Sequence, residues 1–476
     1  MPPRPLSVVV GIMVWLGAPA LSARNITTPE LLAAMQQPHE LARYRYLVKG
    51  MPQLSGPDAG LAQQFLAFCE NEMGLYSEAV RDFPLRSRLP ADLQLPRPPR
   101  WQAADALDTI EELAADRRIV MVNEAHHDAH TRALTLALLP RLRALGFTHL
   151  AIEALDGRDT ELQRRGYPTL ASGSEYLHEP VYGEIVRAAI RLGFVIVAYD
   201  EPGSSPQERE DLQARNLYRR VLAGNPKARL LVHAGYAHID KAPGRLGRVH
   251  PMAERLQKLA GSEVLSIDQT DIREDLPSTE HEAYLRVLGA LRAYHPIVTG
   301  PVRPVDTRQP VDSAYHQLIG LYAPQAPIVL RHADTGAPWS ARPGVYDLSV
   351  ILPVANRNAS DYTEKDLVSL RFDGRDYAVL PPAAGGHRPG WLALAGTRVP
   401  YPVDADLCMT VFPCLVEAHY SGETEDAVAA DRYLFLKRGA RNQLWLRPGA
   451  YRLRSLDANG KVLAQATINV APAAQR

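Results

Sequence analysis

Between residues 105 and 275 the chain repeatedly follows a short run rich in Val, Ile, Leu and Ala with a helical pattern. The runs are Ile119–Val122, His149–Glu153, Phe194–Tyr199, Leu230–His233 and Val264–Ile267. None alternates cleanly between apolar and polar residues, as a strand with one wet face would. Strands buried on both faces read this way. Between them, Leu134, Leu138, Leu142 and Leu145 mark one apolar helical stripe, and Pro180 and Gly193 bracket "PVYGEIVRAAIRLG" at the favoured start and stop positions. "PQEREDLQARNLYRRVLAG" and "PMAERLQKLAG" follow the same plan. The alternation predicts an α/β fold: a mostly parallel sheet flanked by helices, over residues 101–285.

The flanks read differently. Residues 24–100 divide into a helical part, with "TPELLAAMQ" and a helical hairpin turning at Gly74-Leu75-Tyr76, and a linker at 84–100 holding five prolines. One hairpin cannot sustain a solenoid, so packing on the next domain is its expected role. Residues 286–339 form a connecting segment after the helical pattern "STEHEAYLRVLGALRAY"; "SAYHQLIGLYA" within it is a short helix. From 340 to 476 the pattern is β. "GVYDLSVILPV", "LVSLRFDGRDYAVL", "CLVEAHYS" and "LWLRPGAYRLRSLD" are strand-rich, and Asn-Gly in "LDANGKVL" marks a hairpin. A C-terminal antiparallel, sandwich-like domain follows, with a binding or stabilising role.

With 476 residues the chain has room for two or three domains. Its 53 basic residues match 53 acidic ones, which argues against a nucleic-acid or anionic-membrane partner. The opening "MPPRPLSVVVGIMVWLGAPALSARN" has one early positive charge, Arg4, an apolar core from Leu6 to Leu16, and small residues at Ala18, Ala20 and Ala23. This is the pattern of a signal peptide over residues 1–23, and it predicts export to a periplasmic or extracellular space. No other apolar run has the length of a membrane span. An exported chain could pair Cys408 with Cys414, given a turn or bulge between them.

In an open parallel sheet, ligands sit beyond the carboxyl ends of the strands. The first strand ends in Glu124, His126, His127, Asp128 and His130; the second in Glu153 and Asp156; the third in Asp200 and Glu201. The fourth runs into His238 and Asp240, and the fifth into Asp268 and Asp271. Buried charges at one edge need partners, a metal or a substrate. Asp128 is expected to cap the following helix, and His149 and His233, inside strands, to be core histidines. Glu124, His126, Glu153 and His238 arrive at corresponding points and are the candidate catalytic set. His126, Glu153 and His238 could hold a divalent metal that lowers the pKa of a bound water. Without metal, a His–Glu pair serves as general base. His127, His130 and Asp200 are the candidates for holding a cofactor, haem among them.

"VMVNEAHHDAHTR", "THLAIEAL" and "LVHAGYAHIDK" together resemble the superfamily of ChaN-like, erythromycin esterase-like and Tiki/TraB proteins. Its members carry Gly-x-x-His after the first strand, an acidic residue after the second, and a later Gly-x-x-His. The second motif stands as Gly235-Tyr236-Ala237-His238; the first has Asn123 where Gly is usual, a residue that tolerates positive φ. "PVYGEIVRAAIRLGFVIVAYD" and "REDLQARN" also share the family look. The resemblance covers residues 105–275 and implies Glu124, His126, Glu153 and His238 as the site. It does not imply one activity, since related groups are haem-binding lipoproteins, macrolide-ring esterases and metal-dependent proteases. Three readings follow: an exported hydrolase of a small-molecule or peptide substrate, with or without a divalent metal; a periplasmic haem or small-ligand binding protein; and a catalytically inactive member, for which Asn123 is the hint. No Gly-x-Ser-x-Gly elbow supports a serine nucleophile.

Overall fold

A computed structural model describes residues 27–35, 39–54, 56–85, 87–275, 313–355, 367–379 and 388–472. The expected signal peptide and the helix in "STEHEAYLRVLGALRAY" lie outside them.

The described residues begin with four helices, α1 (Thr28–Met35), α2 (Glu40–Gly50), α3 (Gly56–Glu72) and α4 (Tyr76–Asp82). The α/β part follows: β1 (Trp101–Asp105), α5 (Ala106–Ala114), β2 (Ile119–Glu124), α6 (His130–Ala144), β3 (His149–Ile152), the single turn α7 (Leu162–Arg165), α8 (Pro180–Arg191), β4 (Val195–Ala198), α9 (Pro206–Leu217), β5 (Leu230–Gly235), α10 (Met252–Ala260) and β6 (Val264–Asp268). Then come α11 (Ala314–Tyr322), β7 (Ile328–His332) and β8 (Leu348–Ile351). Together β1 to β8 make one sheet in the order β1-β7-β8-β6-β2-β5-β3-β4. From β8 to β4 all neighbours are parallel; β1 and β7 are antiparallel additions at one edge.

All five strands expected from the sequence are present. Their lack of polar alternation has the expected cause. Val120 and Val122 pack with α5, α6 and α8 on one face, while Ile119 and Met121 pack with α9 and α10 on the other. Helix starts follow the local chemistry. Glu179 caps α8 ahead of Pro180, accepting from the Val181 and Tyr182 N–H groups, and Ser205 caps α9 ahead of Pro206. The α/β part reaches further than residues 101–285. β7 lies in the stretch read as connecting, and β8 in the stretch read as the start of the β-rich domain. Their pairing with β1 and β6 draws both into the main sheet.

The rest is antiparallel: β9 (Val368–Phe372) with β10 (Arg375–Val379), β11 (Val399–Asp404) with β14 (Arg441–Leu446), and a four-stranded sheet of β13 (Asp431–Phe435), β12 (Cys414–Tyr420), β15 (Gly449–Leu456) and β16 (Val462–Val470). Cys408 and Cys414 form a disulfide; the turn after Cys408, where the Val411 N–H donates to the Cys408 carbonyl, supplies the reversal the pairing needs. The core of this part is shared. Leu41, Leu47 and Leu66 of α2 and α3 lie in one cluster with Val416, Leu434 and Tyr451 of the C-terminal sheet. The N-terminal helices therefore bury their apolar faces on the last strands, not chiefly on the domain that follows them in sequence.

Candidate functional site

Three neighbouring strands, β2, β5 and β3, bring the expected residues together. Glu124 at the end of β2 is in register with Gly235 at the end of β5. Glu153 follows β3 directly, and its N–H donates to the His233 carbonyl on β5. Glu124, His126, Glu153 and Asp200 line a cleft of about 1070 Å³, walled also by Tyr176, Tyr182 and Arg209. His238 sits behind Glu153.

Glu124 is buried and pairs with two side chains. His126 Nδ1 is 2.6 Å from its Oε1, and Arg132 Nε donates to its Oε2 at 2.9 Å. Burial alone would raise this carboxyl; Arg132, then His126 and His233, hold it well below the usual carboxylate range. Arg132 is itself fully enclosed, donating to Glu179 at 3.1 Å and lying over the Tyr182 ring. The ionised Glu124 accepts from Nδ1–H of His126, which leaves Nε2 as the basic nitrogen. That edge of the ring overlies Gly235. A Cβ at residue 235 would lie 2.5 Å from His126 Cε1 and 2.7 Å from Nε2, so glycine is required there. Tyr176 stacks on the imidazole, with centroids 4.0 Å apart and planes 12° from parallel.

Glu153 is ionised for different reasons. The Gly235 N–H donates to Oε2 at 2.5 Å and Arg209 to Oε1 at 2.7 Å, while His238 Nε2 is 3.3 Å from Oε1. His238 Nδ1 faces Glu210 at 2.6 Å, an ion pair rather than a well-aligned hydrogen bond. Burial would push this imidazole down; Glu153 and Glu210 on its two sides push it up to about 10. It is an imidazolium at neutral pH. Arg209 joins Glu153 to Asp200, donating to the latter through Nε and one terminal nitrogen, with its side chain about a third exposed to the cleft.

The other expected positions fall elsewhere. His127 is buried against Phe83, its ring stacked 3.5 Å away and Nδ1 3.1 Å from the Tyr236 hydroxyl. His130 stacks on Trp391, and burial lowers it to about 3. Neither lines the cleft. Asp128 accepts from the His130 N–H at the first turn of α6, close to the capping role expected, and burial raises it to about 6. His233 is a core histidine bonded to Thr135, and His149 lies at the far end of β3 beside Thr148. Asp156 and Glu201 stand at the cleft wall, paired with Arg158 and Arg220. Asp240, Asp268 and Asp271 converge on Arg245 instead.

Asn123 is not a glycine substitute. It lies within β2 and has no positive φ. Its amide donates to the Tyr236 carbonyl, Asp268 and Thr270, and its oxygen accepts from the Gln269 N–H. It cross-links the ends of β2 and β6 to the turn after β5. The left-handed residue of the site is Tyr236, at φ 42°.

The residues expected to hold a metal are largely committed. Both Glu153 oxygens and both His238 nitrogens face protein partners, one of them the Arg209 guanidinium, which leaves His126 Nε2 as the open donor of the three. Among the described residues no group of three or more His, Cys, Asp or Glu side chains is arranged to hold a metal ion. This donor set does not fit a divalent cation.

Arg132, Glu179, Arg209, Glu210 and Tyr176 were not among the expected site residues. Arg209 and Glu210 open "REDLQARN", where adjacent opposite charges near a helix's start gave the available signal.

No family model matches the chain, and no curated protein does. Solved structures with detectable similarity include one described as bacterial protein toxins (16% identity, 35% of this chain and 37% of that one, TM-score 0.27). Others are the type III effector HopBA1 (17%, 38% and 87%, TM-score 0.25) and RRSP, a MARTX toxin effector domain from Vibrio vulnificus CMCP6 (16%, 34% and 36%, TM-score 0.26). The aligned part thus spans little more than a third of the first of these. At such TM-scores the likenesses assign neither fold family nor activity. Among the described residues no helix is long and apolar enough to cross a membrane.

Proposed function

We propose that the cleft is the active site of an exported hydrolase that cleaves an ester or amide bond with His126 as general base. The observation that carries this is the Glu124–His126 pair at 2.6 Å, with the remaining imidazole nitrogen turned into a cleft beside Glu153 and Gly235. Glu124 fixes the tautomer and stabilises the imidazolium that forms. His126 Nε2 takes a proton from water, and the hydroxide attacks the substrate carbonyl carbon. The oxyanion of the tetrahedral intermediate faces Arg209, the cation that both touches the cleft and is held in place by Glu153 and Asp200. Collapse breaks the bond to the leaving group, which takes the proton back from Nε2. Glu153 and His238 do not exchange protons in this scheme; they hold Arg209 and the turn at Gly235. No step runs through a metal, because of the three side chains that would bind one only His126 has an open donor atom.

The motif resemblance over residues 105–275 supports the same four positions. The test is a panel of ester, lactone and peptide substrates given to the full chain, with and without a chelator, beside His126→Ala. Hydrolysis that survives chelation and disappears in His126→Ala is expected. A substrate cleaved equally well by His126→Ala sinks the assignment.

A further inference from the structure

The imidazole of His126 is held from outside the α/β sheet. Asn71, on α3 and fully buried, grips the loop that carries it with both ends of its amide. Nδ2 donates to the His126 carbonyl at 3.1 Å, and Oδ1 accepts from the Ala129 N–H at 3.1 Å. One turn earlier on the same helix, Phe68 meets the His126 ring edge-on at 6.0 Å and the Tyr176 ring edge-on at 5.6 Å. Tyr176 in turn is set by a loop tied to the C-terminal strands' connections. The Leu170 N–H donates to the Asp426 carbonyl and the Val428 N–H to the Pro168 carbonyl. The cluster of Phe68, Tyr176 and His126 is thus built from three separate parts of the chain; the helix that carries Phe68 shares the core of the C-terminal sheet, whereas Tyr176 packs against the core of the α/β sheet.

We infer that Asn71 is a positioning residue for His126, and that the helices before the α/β sheet, together with the strands after it, are a structural part of the catalytic centre. Asn71 does not line the cleft and acts through the loop it clamps. Losing its two hydrogen bonds leaves the Ala129 N–H without its acceptor and the His126 carbonyl with only the long contact from Arg132, at 3.4 Å, at the point where the ring orientation is set. The hydrolytic reading enters only where turnover is measured; the hold on the ring can be read without a substrate.

The experiment is carbethoxylation by diethyl pyrocarbonate, quantified at His126 by peptide mass spectrometry in the full-length protein. In the wild type the imidazole is packed against Tyr176 and the Gly235 turn, only 15% exposed, and reacts slowly. Asn71→Ala is expected to raise its modification rate several-fold, while the half-exposed His250 reacts at the wild-type rate. Asn71→Asp keeps the acceptor for Ala129 but loses the donor to His126, and is expected to fall between the two; it is the variant to use if Asn71→Ala does not fold. On a substrate hydrolysed by the wild type, Asn71→Ala should lose about 100-fold in kcat with KM little changed, the signature of a misplaced base. A folded Asn71→Ala protein whose His126 reacts at the wild-type rate overturns the inference, even if hydrolysis by His126 is confirmed. Faster modification with no substrate cleaved would leave it standing and remove the hydrolase reading instead.

Discussion

Glu124 and Glu153 look equivalent in the sequence, each ending a buried strand, and both are enclosed and held ionised, Glu124 chiefly by Arg132 and Glu153 chiefly by His238. Their imidazoles differ. His126 has one nitrogen on Glu124 and the other in the cleft, whereas His238 is caught between Glu153 and Glu210 with nothing left to give. A histidine with one carboxylate is oriented and still basic; a histidine with two is a fixed cation. The same residue types, on neighbouring strands of one sheet, thereby take the roles of a reactive group and a scaffold charge.

The largest expected effect sets the two histidines apart directly. His126→Ala should remove about 10⁴-fold of the hydrolysis rate, the upper range for a general base, with an unchanged unfolding midpoint in urea. His238→Ala should show its main loss in stability, because Glu153 and Glu210 lose the cation between them. Equal activity losses with equal stabilities would erase the distinction.

Next is Arg132→Met. It strips the buried cation shared by Glu124 and Glu179, and should cost about 3–5 kcal/mol of unfolding free energy by chemical denaturation.

A pH titration of stability sharpens the comparison on β5 and its turn. His233 is pushed down to about 4 by burial, and His238 is raised to about 10 by its two carboxylates. As pH falls below the ordinary 6.5, the unfolded chain takes up a proton that folded His233 refuses until about 4. Stability is therefore lost across that window, by about 3 kcal/mol, and His233→Gln should flatten the loss. His238 contributes fully below 6.5, and its contribution disappears as pH rises through about 10.

The smallest effect is expected for Gly235→Ala. The added methyl pushes on the His126 ring, which should lower kcat about 100-fold (about 2.7 kcal/mol in the barrier). A wild-type kcat in that variant would mean that the ring is free to move aside.

The strands and their strand-end carboxylates were legible because burial on both faces leaves a local mark, and because parallel strands align their ends. Asn71, Glu179 and Tyr176 were not legible. Each lies in a helix, at a helix cap or in a turn where nothing local distinguishes a partner of the site from an ordinary polar or aromatic residue. Arg132 reads as one more surface cation near the start of α6, yet it is fully enclosed. β7 and β8 escaped notice as members of the main sheet because antiparallel pairing at an edge and a distant parallel contact to β6 leave no alternation with helices in the sequence. Asn123 was read through the glycine it stands for, when its amide, and not its backbone, does the joining.

The shared core of the first helices and the last strands fixes an order of events during synthesis. Leu41, Leu47 and Leu66 emerge from the ribosome some 350 residues before Val416 and Leu434, the side chains that will cover them. Until translation nears its end the nascent protein carries an uncovered oily surface at its front, a standing invitation to chaperones and a hazard of aggregation.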